Sequence, residues 1–250
     1  MLRSRIIPCL LLRDGGLVKT KNFRSPKYIG DPINAVKIFN EKEVDELMFL
    51  DIDASAQRRV PDLQLLRHIA SESRMPLCYG GGISNVELAS KIVSLGFEKI
   101  SVSAAALARP ALIKEMADAI GGQSVVLTLD VKKSKFGGGY SVFTLNGTNK
   151  VKRNLIDICK EAEVNGVGEI VINSIDRDGE MIGYDLDLAS MVRSNVSIPL
   201  SMLGGAGNIQ HMQELIDTVG IVGAAAGSMF VFRGPYRAVL ISYARPGNTR

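Results

Sequence analysis

The feature that most constrains the fold of this chain is an internal repeat with a constant spacing of 123 residues. The segment MPLCYGGGISN at 75–85 realigns with IPLSMLGGAGN at 198–208, and Glu46 and Asp53 realign with Glu169 and Asp176. Self-similarity at a fixed period indicates a duplicated architecture. An open doubly wound sheet has no reason to repeat itself in register, whereas a barrel built from two similar halves does.

Short apolar runs alternate with segments of helical period along the whole chain. The runs lie at 6–12, 47–52, 77–79, 99–102, 125–129, 170–173, 200–203 and 222–226. This alternation predicts βα units around a parallel sheet. Together with the repeat, it predicts an α/β fold, a (β/α)8 TIM barrel made of two similar half-barrels. No linker rich in Pro, Gly and Ser interrupts the series, so residues 1–250 are expected to form one domain.

Local signals locate two helix starts and one insertion. Asp31 followed by Pro32 is typical of a helix start, and Ser84 with Glu87 predicts a capping box. The segment 132–150 breaks the βα rhythm because it combines an alternating run with an Asn-Gly pair. It is predicted to be a small hairpin inserted after the fifth strand.

Composition and charge exclude several classes of partner. The formal net charge is +4 and the basic residues are scattered, which argues against nucleic acid binding but permits anionic ligands. Cys9, Cys78 and Cys159 show no C-x-x-C spacing and cannot all pair, which favours a reducing, cytoplasmic setting. No run of about 18 apolar residues and no cleavage signal is present, so neither membrane insertion nor export is expected.

The loops that follow the strands of a parallel barrel carry its reactive residues. Here these positions hold Leu11, Asp51, Gly81, Gly82, Ser103, Asp130, 176–179, Gly204, Gly205, Gly227 and Ser228. Glycines at helix starts expose backbone N–H groups to phosphate, and their presence in both halves predicts a substrate with a phosphate at each end. The alternative is that these glycines serve only tight turns.

One carboxylate stands out as a candidate for proton transfer. Asp130 ends the run VVLTLD, so a rigid strand would hold it at the barrel mouth, where it is suited to general acid or base chemistry. The alternative is that it caps the following loop. Asp51 and Asp176 are expected to orient neighbouring groups or to form ion pairs with Arg177.

The remaining reactive residue types fall at positions that predict packing rather than chemistry. His68 and His211 lie in predicted outer helices, so no metal site and no cofactor are expected. Cys9 and Cys78 lie inside apolar strands and are expected to be buried thiols. Phe230 and Tyr236 are expected to be core residues.

The strand starts, at the opposite end of the predicted barrel, carry charges of both signs. They are Arg5, Glu46, Lys99 and Glu169, from the first, second, fourth and sixth strands. These side chains are predicted to form a ring of alternating charge that closes the barrel bottom. Taken alone, such a network would stabilise the barrel.

The motifs RIIPCL, GDPINA, DELMFLDIDAS, GGGI, GEIVINSIDRDG and GGAGN carry a family likeness. Over essentially its whole length the chain resembles the cyclase subunit of imidazole glycerol phosphate synthase. The resemblance implies a barrel with a glutaminase partner at its bottom, whose ammonia crosses the barrel to a bis-phosphorylated ribulosyl substrate. The family has catalytic aspartates after strands one and five; Asp130 matches the second and Leu11 stands in place of the first. Loss of such a group costs about 10²–10⁴-fold in rate.

The resemblance also assigns roles at both ends of the barrel. It makes Arg5, Glu46, Lys99 and Glu169 the ammonia gate. It makes Lys19, Asp51, Gly82, Ser103, Asp178, Gly179, Gly205, Gly227 and Ser228 the contacts to substrate and phosphate. Departures from the family cluster at the mouth: besides Leu11, they are Thr20 for Gly, Ser103-Ala104 for Asn-Thr, Asn173 for Thr and Leu203 for Ser.

These observations leave three hypotheses. The first is a working cyclase. The second is a divergent paralogue of the second-copy branch, which conducts ammonia from a glutaminase to a sugar amidotransferase in lipopolysaccharide or O-antigen biosynthesis; the kept gate and the altered mouth favour it. The third is a phosphate-binding isomerase on the same scaffold, which would need no ammonia entrance.

Overall fold

The structure is a computed structural model that describes residues 3–134 and 138–246. Its strands are β1 (Arg5–Arg13), β2 (Gly16–Lys21), β3 (Arg24–Gly30), β4 (Leu47–Asp51), β5 (Leu77–Gly80), β6 (Lys99–Val102), β7 (Val125–Lys133), β8 (Tyr140–Thr144), β9 (Asn149–Lys150), β10 (Glu169–Ser174), β11 (Leu200–Leu203), β12 (Gly223–Ala226), β13 (Phe232–Arg233) and β14 (Ala238–Val239). Its helices are α1 (Pro32–Glu41), α2 (Leu63–Glu72), α3 (Val86–Ser94), α4 (Ala104–Ala108), α5 (Ala111–Ile120), α6 (Leu155–Val164), α7 (Leu186–Arg193), α8 (Ile209–Val219) and α9 (Ser228–Val231). None of the helices in these two ranges is long and apolar enough to cross a membrane.

Eight of the strands close into a parallel barrel. They pair in the order β1, β4, β5, β6, β7, β10, β11 and β12, and β12 pairs back onto β1. All eight predicted strands are therefore present, and the predicted TIM barrel is confirmed. Helices between successive strands cover the outside of the barrel.

The repeat is visible in the structure. β5 and β11 start at Leu77 and Leu200, and the helices that follow them have Asn85 and Asn208 as N-caps. Each Asn side chain accepts a hydrogen bond from a backbone N–H of its helix. The capping box predicted at Ser84 is wrong, because the cap lies one residue later. The cap predicted at Asp31 is confirmed.

Two hairpins extend the mouth of the barrel. β2 and β3 form one directly after β1 and pair with its end, which the sequence analysis did not predict. The other is formed by β7, β8 and β9, with Asn146 and Gly147 in the turn between β8 and β9. This confirms the hairpin predicted at 132–150, of which residues 135–137 lie outside the described ranges.

The barrel separates two apolar cores because successive side chains of a strand point to opposite faces. On β1, Ile6 and Leu10 pack outward against the helices, while Ile7 and Cys9 point into the barrel. The inner core comprises Ile7, Cys9, Met48, Cys78, Val126, Val171, Leu203 and Ala225. The expected burial of the two interior thiols is thus confirmed.

The last βα unit departs from the regular pattern. β12 is followed by α9, a helix of four residues, and then by the short hairpin β13–β14. Gly234 and Pro235 stand between its strands. Phe230 is buried as expected, but the prediction that Tyr236 is a core residue is wrong, since it is 95% exposed in this turn. The chain then returns to the strand-start end, where the Tyr243 hydroxyl donates to the Ile6 carbonyl at 3.1 Å.

Candidate functional site

An open cavity of about 290 Å³ lies at the mouth, where the barrel strands end. Every residue that the sequence analysis assigned to substrate contact or catalysis lines it, and so does Leu11. The assigned residues are Lys19, Asp51, Gly82, Ser103, Asp130, Asp178, Gly179, Gly205, Gly227 and Ser228. They come from distant parts of the chain, and closure of the barrel brings them together.

Asp130 lies at the cavity wall beside Asn173. The Asn173 amide donates from Nδ2 to Asp130 Oδ1 at 2.9 Å, because β7 and β10 pair with these two residues opposite each other. Burial raises the pKa of Asp130 from 3.8 to about 7, which outweighs the opposite effect of the Asn173 hydrogen bond. A carboxyl group with a pKa near neutrality can both accept and release a proton under physiological conditions.

Leu11 makes the opposite wall of the cavity apolar. It pairs with Leu50 across β1 and β4, and Leu203 lines the same cavity from β11. Asp14, the carboxylate that follows Leu11 most closely in the sequence, is exposed in the turn after β1 and does not line the cavity. Leu11 and Leu50 therefore form an apolar part of the lining, whereas Leu203 pairs with Asn173 on the side of Asp130.

The other carboxylates that line the cavity are held by their own loops. Asp51 accepts hydrogen bonds from the backbone N–H groups of 53 and 54 and pairs with Arg59 at 3.4 Å. Asp53 pairs with Arg13 at 2.7 Å and accepts from the Asn146 side chain in the hairpin turn. Burial raises the pKa of Asp51. Asp51 and Asp53 therefore hold the loops around the cavity in place through these hydrogen bonds and ion pairs.

Asp178 and Gly179 hold the β2–β3 hairpin over the cavity. The Asp178 carboxylate accepts from the Thr20 hydroxyl at 2.7 Å and from the Phe23 backbone N–H at 3.1 Å. A Cβ on Gly179 would collide with the Thr20 carbonyl. Burial raises the pKa of Asp178. The Thr20 hydroxyl is therefore one of the groups that join the hairpin to the loop of Asp178.

The prediction that Arg177 forms ion pairs with Asp51 or Asp176 is wrong. Arg177 donates to the Gly183 carbonyl at 2.9 Å, and Asp176 accepts from the Lys133 backbone N–H at 2.8 Å. Asp51 pairs with Arg59 instead. Both aspartates order loops, as expected, but with other partners.

Lys19 brings a buried amine to the cavity. Its Nζ donates to the Cys9 carbonyl at 2.7 Å, and burial lowers its pKa. Gly227 leaves room for it, because a Cβ at that position would displace the amine. The amine therefore lies next to Gly227 and the start of α9 at Ser228, where an anion would meet both a cation and backbone N–H groups.

The glycine pairs of the two halves also mark close backbone approaches. Gly82 donates its N–H to the Ser55 hydroxyl at 3.3 Å, and the Gly205 carbonyl accepts from the Gly183 N–H at 2.8 Å. A Cβ on either glycine would collide with a backbone carbonyl. These contacts fit the tight-turn alternative, and the pairs also line the cavity, so phosphate binding stays a prediction.

The charged residues of the strand starts form a closed ring at the other end of the barrel. Arg5 contacts Glu46 and lies 2.6 Å from Glu169, while Lys99 lies 2.8 Å from Glu46 and 2.9 Å from Glu169. This is the alternating ring that the sequence predicted. Burial opposes ionisation of Glu169, but Lys99, Arg5 and hydrogen bonds outweigh it and lower its pKa. The inner apolar core lies between this ring and the cavity.

Three sets of contacts in the ring, the mouth and the barrel interior were not predicted from the sequence. Ser201, Asn146 and the pair of Ser101 and Thr128, whose hydroxyls lie 2.6 Å apart, all depend on contacts between strands or loops that are distant in sequence. Only the alternation of inward-facing positions could have placed the three hydroxyls inside the barrel. His68 and His211 lie in α2 and α8 as expected. Within the described ranges, no group of three or more His, Cys, Asp or Glu side chains is placed to hold a metal ion.

Comparison with known proteins gives a consistent result. The family model described as "Histidine biosynthesis protein" matches residues 5–236. A protein of Vibrio vulnificus, provisionally named imidazole glycerol phosphate synthase subunit hisF3, is 53% identical over 250 residues, covering 100% of this chain and 96% of the relative. A Pseudomonas aeruginosa protein, provisionally named subunit hisF2 of the same enzyme, is 53% identical over 97% of this chain and 96% of its own. Imidazole glycerol phosphate synthase subunit HisF of Streptococcus mutans is 38% identical over 92% and 91%, respectively.

Proposed function

Because this chain belongs to the histidine biosynthesis protein family, we propose that it is the cyclase-type barrel subunit of a glutamine-dependent complex. In this function it takes up ammonia at the strand-start end and delivers it to the cavity at the mouth. The substrate that the family likeness suggests is a bis-phosphorylated ribulosyl aminoimidazole compound. Relatives named as subunits of imidazole glycerol phosphate synthase support the assignment.

The observation that carries the proposal is the closed ring of Arg5, Glu46, Lys99 and Glu169. Both carboxylates are almost fully buried, and burial of charges is costly unless they are paired. Apolar side chains would fill the same space at lower cost, so a functional reason for keeping four charges is favoured. A ring of salt bridges over an apolar barrel interior can open and close to a small neutral molecule such as ammonia.

A glutaminase is the partner that this geometry suits. Ammonia must be supplied at the outer face of the ring, where the side chains of Arg5 and Lys99 remain 27% and 17% exposed. A glutaminase docked there would release ammonia directly against the barrel bottom. The interior of the barrel would then keep the ammonia from bulk water until it reaches Asp130.

The residues of the mouth have distinct parts in the proposed cyclase reaction. Asp130 would move protons, with Asn173 keeping its carboxylate oriented. Lys19 with Ser228, and the glycine pairs with Ser103, would bind the phosphate groups of the substrate. Asp51, Asp178 and Gly179 would contact the substrate and its phosphates, as the resemblance implies, and would also keep the surrounding loops in place.

Leu11 supports a second candidate function, in which this chain passes ammonia to another enzyme. Its side chain cannot exchange a proton, and the part of the cavity lining that it forms with Leu50 is apolar. In this candidate the acceptor belongs to a sugar amidotransferase of lipopolysaccharide or O-antigen biosynthesis. Greater identity to the relatives named hisF3 and hisF2 than to the Streptococcus mutans subunit favours a divergent branch.

The two candidates are separated by a cyclase assay with the ribulosyl aminoimidazole substrate and ammonium chloride. We compare the wild-type chain, Leu11→Asp and the isosteric control Leu11→Asn, which cannot act as an acid. Turnover by the wild-type chain supports the cyclase. No wild-type turnover, with activity appearing in Leu11→Asp but not in Leu11→Asn, supports the conduit with an otherwise intact mouth.

The proposal as a whole is tested with the glutaminase encoded in the same genome. We expect a stable complex in which glutamine hydrolysis is stimulated by this chain, and weaker stimulation when Lys99→Met alters the ring. If no glutaminase of the same genome binds this chain, and none hydrolyses glutamine at a different rate in its presence, both the cyclase and the conduit candidates are wrong.

A further inference from the structure

Ser201 contacts the charged ring of Arg5, Glu46, Lys99 and Glu169, and the proposed function gives it no role. It lies in β11 with none of its surface exposed, and its hydroxyl donates to Glu169 Oε1 from inside the barrel. Gly223 of the neighbouring strand leaves the space that this hydroxyl occupies, because a Cβ there would collide with Ser201 Oγ. Ser201 and Gly223 thus form a fitted pair at the inner side of the ring.

The contacts of the ring are not symmetric with respect to its two cations. Glu169 Oε1 accepts from both Arg5 and Ser201, whereas Glu169 Oε2 accepts only from Lys99 among the residues of 3–134 and 138–246. Glu46 Oε2 accepts from both cations. If the Arg5 side chain moves away, each carboxylate oxygen that accepts a hydrogen bond in the ring still has one donor. If Lys99 leaves, Glu169 Oε2 loses its donor.

This difference matters because a buried charged group without a partner is strongly disfavoured. In the proposed entrance, ammonia passes when one of the two cations moves away from the four ion pairs. Removal of Arg5 leaves the anions covered by Lys99 and the Ser201 hydroxyl. The Arg5 side chain is also more exposed than that of Lys99, at 27% against 17%. Its guanidinium therefore needs a smaller movement to become hydrated.

We propose that Ser201 is a positioning residue of the ring, which holds Glu169 in place from within the barrel and so makes Arg5 the cation that swings out. The inference rests on the proposed ammonia entrance and deepens it, because it names the member that opens and the residue that selects it. Ser201 touches neither ammonia nor substrate in this role. Gly223 serves the same end by making room for the hydroxyl.

The test is NMR spectroscopy of the full chain with labelled arginine Nε and lysine Nζ groups. In the wild type, relaxation dispersion should show exchange at Arg5 and none at Lys99. Ser201→Ala and Ser201→Cys should each lower the open population of Arg5 about tenfold, since a hydrogen bond to a charged group is lost. Ser101→Ala is the matched control, because it removes another interior hydroxyl, whose hydrogen bond joins it to Thr128 instead of Glu169.

Ser201→Cys separates hydrogen bonding from packing. A thiol fills nearly the same volume as the hydroxyl but is a weak donor, so it should behave like the alanine variant, and in both variants the pKa of Glu169 should rise. Exchange at Lys99 instead of Arg5 would overturn the proposal. The proposal would also be wrong if Ser201→Cys kept the wild-type open population of Arg5, because the volume of the side chain and not its hydrogen bond would then matter.

This experiment needs neither glutaminase nor substrate. If the ring exchanges as described but no glutaminase binds the chain, the proposed function fails while the opening mechanism stands. If ammonia transfer is intact but Arg5 shows no exchange or Ser201 has no influence, only the inference about Ser201 fails.

Discussion

Replacing Asp130 by Asn should stabilise the protein at alkaline pH, although it removes the candidate proton-transfer group. The pKa of Asp130 is raised from 3.8 to about 7 in the folded chain, chiefly by burial. A carboxyl group whose pKa is higher in the folded state favours folding while it is protonated. That contribution is fully present below pH 3.8 and is lost as the pH rises through about 7.

The size of the effect follows from the same pKa values. Each unit of pKa difference corresponds to about 1.4 kcal/mol, so complete ionisation costs at most about 4 kcal/mol. The carboxylate lines an open cavity instead of lying in the packed core, which reduces this cost. We therefore expect Asp130→Asn to raise the free energy of unfolding at pH 8 by about 2–4 kcal/mol relative to its effect near pH 4.

Urea unfolding of the wild-type chain and Asp130→Asn across this pH range provides the measurement. Asp14→Asn is the matched control, because Asp14 is exposed in a turn with a positive φ of 49° that Asn also adopts readily. The control removes a carboxyl group that is exposed to solvent. If the free energies of unfolding of Asp130→Asn and the wild type differ by the same amount from pH 4 to pH 8, the raised pKa of Asp130 is wrong. Asp130 would then not be suited to proton transfer near neutrality.

Three further perturbations test the ring, the anion site and the hairpin. Lys99→Met should lower the free energy of unfolding by about 3 kcal/mol in a urea titration at pH 7, because two buried carboxylates each lose one of their two cationic partners; an unchanged midpoint would contradict the observed pairing. Gly227→Ala should displace the Lys19 amine and weaken binding of inorganic phosphate at least about tenfold in a calorimetric titration, and equal affinity would argue against a phosphate site there. Thr20→Val should remove the hydrogen bond to Asp178 at a cost of about 1–2 kcal/mol, seen as faster amide exchange across β2 and β3; unaltered exchange would mean that other contacts hold the hairpin.

The sequence predicted the barrel well because its signals are local and repeated. Apolar runs, helix periods and the spacing of 123 residues each reflect the backbone geometry of one segment or its duplicate. The strand ends located the cavity residues for the same reason, since closure of a parallel barrel brings all strand ends together. The capping box at Ser84 failed because two adjacent residues can both cap, and only backbone geometry distinguishes them.

What the sequence by itself determined is which residues lie at each end of the barrel: the four charges of the ring at one end, and Asp130 and Leu11 at the other. The tertiary structure alone decided what those residues touch. Asn173 meets Asp130, Thr20 meets Asp178, and Ser201 meets Glu169 in the space left by Gly223. The physical reason is that strand periodicity fixes the face and the end at which a side chain lies, whereas hydrogen bonds and collisions depend on distances between strands far apart in the chain.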